Sequence, residues 1–397
     1  MRSPSGGWAL ATLGSLALLG LLCAVGPGAW DTLSIDLRHR WVALTARPAP
    51  VESEANTPPA LGMNVFLEQE VEPARRQRSL DLLHAAGVTW IRQELPWEQI
   101  EPRAKGGTTD PTFGGSTWTK FDDIVDRTSA MGMHLVLRLD TSPRWALPPD
   151  AQDGLSPPIN FDDYFDFVSQ VATRYRGKVA AYQVWNEPNL TSEWGHRPPD
   201  AAAYARLLQG ASSRIRAADP GALVVMAALS PTLTENSDAL NELVYLQQLY
   251  DAGARGAFDV LGVQAYGLRG GPDDPRTGAD DVTFSRPTLV RAVIDHNGDS
   301  AIPMWATEMG WNVNPSSFAV QQFGRVTPDL QARYTVRAFE RAKEQWPWLN
   351  VGFVWFWKRA DDTNRNQDWY WFRLAEPDFS LEPVYYALRD AAETGWP

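Results

Sequence analysis

The chain has 397 residues, 44% of them hydrophobic, which is enough for one large barrel or two ordinary domains. A net charge of -12 argues against a nucleic-acid partner, because phosphate binding wants a basic face. The single Cys excludes an intrachain disulfide and a cysteine-based metal site, and the five scattered His residues argue against a His-ligated metal, so neither metal nor cofactor is expected.

Trp8 to Trp30 carries no charged residue. The run is about 23 residues long, enough to cross a bilayer of about 30 Å. Residues 1–30 therefore read as a transmembrane signal anchor. The alternative is a cleaved signal peptide, for which Val25-Gly26-Pro27-Gly28-Ala29 is a weak exit site. Either reading places the remainder outside the cytoplasm, with the membrane as a partner of the first helix. Residues 31–60 form a tether whose end, Arg47 to Pro59, has linker composition.

From residue 61 to 397 short apolar runs alternate with amphipathic stretches, and we count eight strand-helix units. Strands are predicted near Leu61–Leu67, Thr89–Glu94, His134–Asp140, Ala180–Glu187, Leu223–Leu229, Val260–Tyr266, Met304–Met309 and Gly352–Trp357. Helices are predicted near Pro73–Ala86, Phe121–Met131, Phe161–Tyr175, Ala201–Ala217, Ala239–Ala252, Thr288–Asn297, Asp329–Gln345 and Pro383–Ala392. This alternation implies an α/β fold with a parallel sheet, and eight units imply a closed (β/α)8 TIM barrel. A doubly wound open sheet is the runner-up, but it lacks a Gly-rich phosphate turn after the first strand. The longer loops follow the strands and would gather on the ligand-binding face.

Chemistry concentrates at two strand ends. Ala181-Tyr182-Gln183-Val184-Trp185-Asn186-Glu187-Pro188 runs from apolar to polar, and alternation puts Gln183, Trp185 and Glu187 on one face. Met304, Ala306 and Glu308 alternate likewise on strand seven. In a barrel, Glu187 and Glu308 would face each other across the mouth, and two carboxyls flanking an acetal are the minimum for glycoside hydrolysis. The bland reading makes them unrelated surface groups. The 18 Trp residues are unusually many. Some fall in post-strand loops (Trp145, Trp194 and Trp311), where flat rings can stack on sugars, while core packing accounts for others.

Trp185-Asn186-Glu187-Pro188 and Trp305-Ala306-Thr307-Glu308 resemble the paired signatures of clan A glycoside hydrolases, most closely family 39, with family 5 cellulase-like enzymes next. The resemblance covers roughly Leu61 to Ala392. It implies a retaining (β/α)8 enzyme in which Glu187 is the acid/base and Glu308 the nucleophile. It further implies that Asn186 binds the sugar 2-hydroxyl, that Arg92 holds the nucleophile ionised, that Tyr266 donates to it, and that Trp357 floors the sugar site. Arg92 could instead pair with Glu94, and Tyr266 could simply fill the core. Asn64 shares a strand face with Gly62 and Phe66 and is a softer candidate for the pocket. Arg138 and Asp140 either meet sugar or pair with each other. Two positions depart from the clan pattern: Arg138-Leu139-Asp140 stands where a His is common, and Gln264 stands two residues before Tyr266 where another His is common.

The expected function is a retaining β-glycosidase acting on a β-linked oligo- or polysaccharide, extracytoplasmic and membrane-anchored. A transglycosylase using the same residues, or a catalytically silent carbohydrate-binding barrel, are the alternatives.

Overall fold

The computed structural model describes residues 57–319 and 321–396. The expected anchor at 1–30 and all but the end of the tether lie outside the described residues. Among the described residues, no helix is long and apolar enough to cross a membrane.

Eight parallel strands close into a barrel in the order β1 to β8. They are β1 (Ala60–Val65), β2 (Trp90–Pro96), β3 (His134–Asp140), β4 (Ala181–Val184), β5 (Leu223–Leu229), β6 (Val260–Tyr266), β7 (Met304–Gly310) and β8 (Leu349–Val354). The helices that cover them are α1 (Pro73–Ala85), α2 (Thr119–Ala130), α3 (Phe161–Arg174), α4 (Ala201–Ala218), α5 (Glu242–Asp251), α6 (Pro287–His296), α7 (Pro328–Gln345) and α8 (Pro383–Glu393). Their starts follow local chemistry. Asn160, Asp200, Asn241 and Thr327 each accept a first-turn N–H, and α1, α6, α7 and α8 carry Pro in the first turn, where its missing N–H costs nothing.

Two apolar layers result. The larger lies between strands and helices. The smaller plugs the base of the barrel and contains Val136, Ala181, Val225, Val260, Trp305, Val351 and Phe353, with Trp90 packed against it. Trp90 and Trp305 meet edge to face at 4.8 Å between centroids. Phe353 fills the space over Gly62, where an added Cβ would sit 2.6 Å from the ring. Asn64, Arg92 and Gln183, two residues beyond the Gly62, Trp90 and Ala181 positions, and Gln264, four beyond Val260, form the next layer up, and that layer is polar.

Three strand faces differ from the alternation expected of the sequence. Trp305 lies inside the barrel, whereas Met304 and Ala306 face the helices. Register then shifts: Val263 pairs with Ala306 and Gln264 with Glu308, leaving Thr307 as one extra residue. The pairing with β8 shifts across the same residues. This bulge returns Glu308 to the interior. β4 ends at Val184, three residues short of Glu187, and Trp185 and Glu187 take positive φ values of 68° and 35°. β8 likewise ends at Val354, before Trp355 and Trp357.

Removing the plug should be costly. Phe353→Ala is expected to lower stability by about 3–5 kcal/mol. Gly62→Ala should destabilise the native chain yet cost less in the Phe353→Ala background. Thermal unfolding of the two single variants and the double variant checks both.

Candidate active site

The polar layer is built around Arg92 of β2, which is almost wholly buried. Its Nη1 donates to Glu308 Oε1 at 3.0 Å and to Asn64 Oδ1 at 2.6 Å. Its Nε donates to Gln183 Oε1 at 2.9 Å, and its Nη2 to Asn186 Oδ1 at 3.3 Å. Asn64 is locked in turn, donating to the carbonyls of Thr307 (2.9 Å) and Val354 (3.3 Å). Burial pulls the Arg92 pKa down, against the attraction of Glu308. The expected alternative partner, Glu94, pairs instead with Arg138 at 2.9 Å, and Arg138 also pairs with Asp140 at 2.6 Å.

Glu308 is 6% exposed. Its second oxygen, Oε2, accepts the Tyr266 hydroxyl at 2.7 Å. Burial and then the neighbouring Glu308 charge push the Tyr266 pKa well up, so the phenol keeps its proton and remains a donor. One carboxylate oxygen therefore takes a cation and the other a phenol, an arrangement suited to a fixed anion.

Glu187 has the opposite surroundings. The left-handed turn at Trp185 sends that ring outward, against Tyr164 and Trp194, with its Nε1 donating to the Glu193 carbonyl at 2.8 Å. Glu187 faces the cavity, and among the described residues no cation pairs with it. Burial, then the charges of Glu193 and Glu308, push its pKa up to about 8, and hydrogen bonds from Gln264 and Ser230 work the other way. A carboxyl with that pKa is protonated at neutral pH. Gln264 Nε2 donates to Glu187 Oε1 and lies 3.4 Å from Glu308 Oε2. Because one nitrogen reaches both groups, two hydrogen-bond lengths limit the separation of those oxygens to about 6 Å.

The carboxyls open into a cavity of ≈ 620 Å³ at the carboxyl ends of the strands. Its aromatic lining comes from Phe66, Tyr266, Phe323, Trp355, Trp369 and Phe372. The structure thus brings Glu187, Glu308, Asn186, Arg92, Tyr266 and Asn64 together, with Arg92 and Asn64 beneath the surface rather than on the wall. It does not bring Trp357 or Trp311 there. Beyond the end of β8 the alternation no longer holds: Trp357 packs on Tyr385 of α8, and Trp355 takes the wall position. Trp311 follows the end of β7, is buried against Phe284 and Tyr334, and donates to the Gly270 carbonyl at 2.7 Å. Trp145 and Trp194 are also packed away from the cavity, on Trp97 and Trp185. Sequence reasoning missed Glu193, a further carboxylate on the wall that accepts from Asn186 Nδ2 at 3.2 Å. The one signal for it was an acid six residues beyond Glu187, in the same loop.

A closed (β/α)8 barrel with paired carboxylates, one just beyond strand four and one near the end of strand seven, defines a clan A type glycoside hydrolase. The family model described as cellulase, glycosyl hydrolase family 5, matches residues 52–250, and the chain belongs to that family. No curated protein matches by sequence. Among solved structures, a family 39 glycoside hydrolase from Bacteroides cellulosilyticus WH2 has 20% identity and a TM-score of 0.63 over 85% of this chain and 64% of its own. This chain thus spans less than two thirds of that relative's length. A glucosidase from Croceicoccus marinus has 13% identity and a TM-score of 0.61, over 89% and 68% of the two chains. A GH5_18 enzyme from Streptomyces cattleya, solved with GlcNAc, has 16% identity and a TM-score of 0.60, over 86% and 81%. At these identities the likeness is one of fold.

The raised pKa of Glu187 has a consequence for stability. A carboxyl raised on folding stabilises the native state below its unfolded value of 4.5, and that stability is lost as pH rises through about 8. Glu187→Gln should remove the dependence, so that the variant gains on the native chain by several kcal/mol at pH 9 relative to pH 5. Chemical denaturation at the two pH values measures the gain.

Proposed function

We propose that the chain is a retaining β-glycosidase that hydrolyses O-glycosidic bonds in a β-linked oligo- or polysaccharide. The observation that carries this reading is the shared Gln264 amide. It limits one oxygen of each carboxyl to a separation of about 6 Å, closer to the roughly 5–5.5 Å of double displacement than to the roughly 6.5–9.5 Å that admits a water for inversion.

The roles follow from the surroundings. Glu308, held by Arg92 and Tyr266, attacks the anomeric carbon as the C–O bond to the leaving group breaks. Glu187, protonated, gives its proton to the departing oxygen. The new ester removes the negative charge from Glu308, and with it one cause of the raised Glu187 pKa. Glu187 is then a stronger acid and is left as the carboxylate. It next takes a proton from water, whose oxygen attacks the anomeric carbon and frees Glu308. Asn186, oriented by Arg92 and Glu193, suits the 2-hydroxyl, whose hydrogen bonds strengthen in the transition state. Sugar complexes of the Streptomyces cattleya enzyme, with GlcNAc and with Manb1-4GlcNAc, support a carbohydrate ligand. We place the domain outside the cytoplasm, tethered through Trp8–Trp30, on the length of that uncharged run.

The test is hydrolysis of a panel of aryl β-glycosides and β-linked polysaccharides, with product configuration read by NMR. At least one substrate should be cleaved with retention. Glu187→Ala should lower kcat by about 10²–10⁴-fold, and Glu308→Ala should abolish turnover. Activity that survives loss of Glu308 sinks the mechanism. Because Glu187 must be protonated to act as the acid, kcat/KM should fall on the alkaline side with a pKa of about 8.

A further inference from the structure

Arg359 stands in the loop after β8 and lines the cavity. Its guanidinium carbon lies 3.4 Å from the centroid of Phe66 and 4.7 Å from that of Trp369. Phe356 lies further off at 5.2 Å. Three rings from two strand ends and the loop near Trp369 thus hold one cation in place. Among the described residues no acid lies within ion-pair distance of it, and its Nε is buried without a hydrogen-bond partner.

Its neighbours are committed elsewhere. Among the buried arginines, Arg76 has Asp123, Arg286 has Glu242 and Arg373 has Glu376. Arg341 is met by Gln345 and the Pro272 carbonyl. On the cavity wall, Arg138 is matched by both Glu94 and Asp140. The preceding Lys358 is taken by Glu70. The acids that face Arg359 are Glu68, from the turn after β1, and Glu94 at the end of β2. Glu94 serves Arg138. Glu68 accepts from Gln93 Nε2 at 2.5 Å, and burial, then the Glu94 charge, push its pKa up to about 7. Burial outweighs both acids and lowers Arg359 to about 10, which still leaves it charged at neutral pH. Arg359 is half-buried, but its buried Nε has no partner, and because buried polar groups are almost always paired, a guanidinium so placed in a ligand cavity calls for a partner from outside the chain.

The side of the cavity is set by the mechanism, and this step rests on the glycosidase reading above. The leaving group departs beside Glu187, along Leu190, Ser230 and Thr232 after β4 and β5. Arg359, Phe66 and Trp355 stand on the opposite wall, after β8 and β1, where the retained sugars extend. We propose that Arg359 binds the carboxylate of an acidic sugar in that part of the substrate, so that the substrate is a β-linked glycan containing hexuronic acid. A planar guanidinium matches a carboxylate with two parallel N–H donors, and the ring faces beside it suit the apolar face of the same sugar.

The test is a binding comparison by titration calorimetry in the Glu187→Gln chain, which removes the proposed acid. The probes are uronic-acid disaccharides with β1,4 links (glucuronosyl-glucose and dimannuronate), their neutral counterparts cellobiose and mannobiose, and 6-sulfated cellobiose. At least one uronic acid should bind about 10- to 100-fold more tightly than its neutral counterpart, as charge-assisted hydrogen bonds imply. The advantage should disappear in Arg359→Met. It should largely disappear in Arg359→Lys, which keeps the charge but not the fork and guards against a folding defect in the first variant. Equal binding of acidic and neutral probes overturns the proposal, as does an advantage that survives both substitutions. Tighter binding of the sulfated probe than of every uronic acid overturns the carboxylate assignment. A chain that prefers uronic acids yet cleaves no glycoside would leave Arg359's role standing and defeat the hydrolase reading. One that cleaves neutral glycans without this preference would do the reverse.

Discussion

One buried guanidinium organises the mouth of this barrel. Arg92 hydrogen-bonds to side chains from β1 and β7, from β4, and from the turn just beyond β4. Taking that cation out of water costs several kcal/mol, and only an almost complete set of acceptors offsets it. Asn64, Gln183 and Asn186 supply neutral acceptors and Glu308 the counter-charge. Each of these side chains is therefore held in one orientation before any ligand arrives. Electrostatic catalysis needs that condition, because dipoles already in place cost no reorganisation as charge develops.

The two carboxyls owe their different chemistry to what surrounds them. Glu308 has Arg92 and Tyr266 as donors. Glu187 has an amide from Gln264, the negative charge of Glu193 across the wall and, among the described residues, no cation. Identical side chains are so given opposite electrostatic settings. Gln264 touches both and cannot itself titrate, so the amide transmits no proton between them and keeps its donor character across the working pH range.

Much of this was legible in the sequence. The eight strands and eight helices were visible as alternating periodicities, and β3, β5 and β6 fall on the expected residues. The two Glu residues were found because each stands at or just beyond the carboxyl end of a strand, a position that survives small errors in face. Assignments that relied on face did not survive. Met304 and Ala306 face the helices because Thr307 is an extra residue, Trp185 points outward because its φ is positive, and Trp357 packs on α8 because β8 has already ended. Period-two reasoning assumes an unbroken extended strand, and catalytic strand ends are where barrels break that regularity. Glu193 and Arg359 were not singled out for another reason. Their importance lies in which partners they have or lack, and that is decided by residues distant in sequence.

The bulge at Thr307 puts the site and the core of the barrel out of phase. Below it, β7 contributes Trp305 to the plug; above it, Glu308 to the cavity. The interval between them is three residues, where a regular strand would allow two or four. The two halves of this strand are thus separately keyed, and the spacing matters more than the identity of the residue that provides it. A substitution at Thr307 leaves the count intact. Loss of one residue would shorten the interval to two, which a regular strand permits, but it would draw the carboxylate down toward the plug and away from the Arg92 and Tyr266 donors that hold it. Length conservation through 305–308 is accordingly a constraint of the chemistry as much as of the fold.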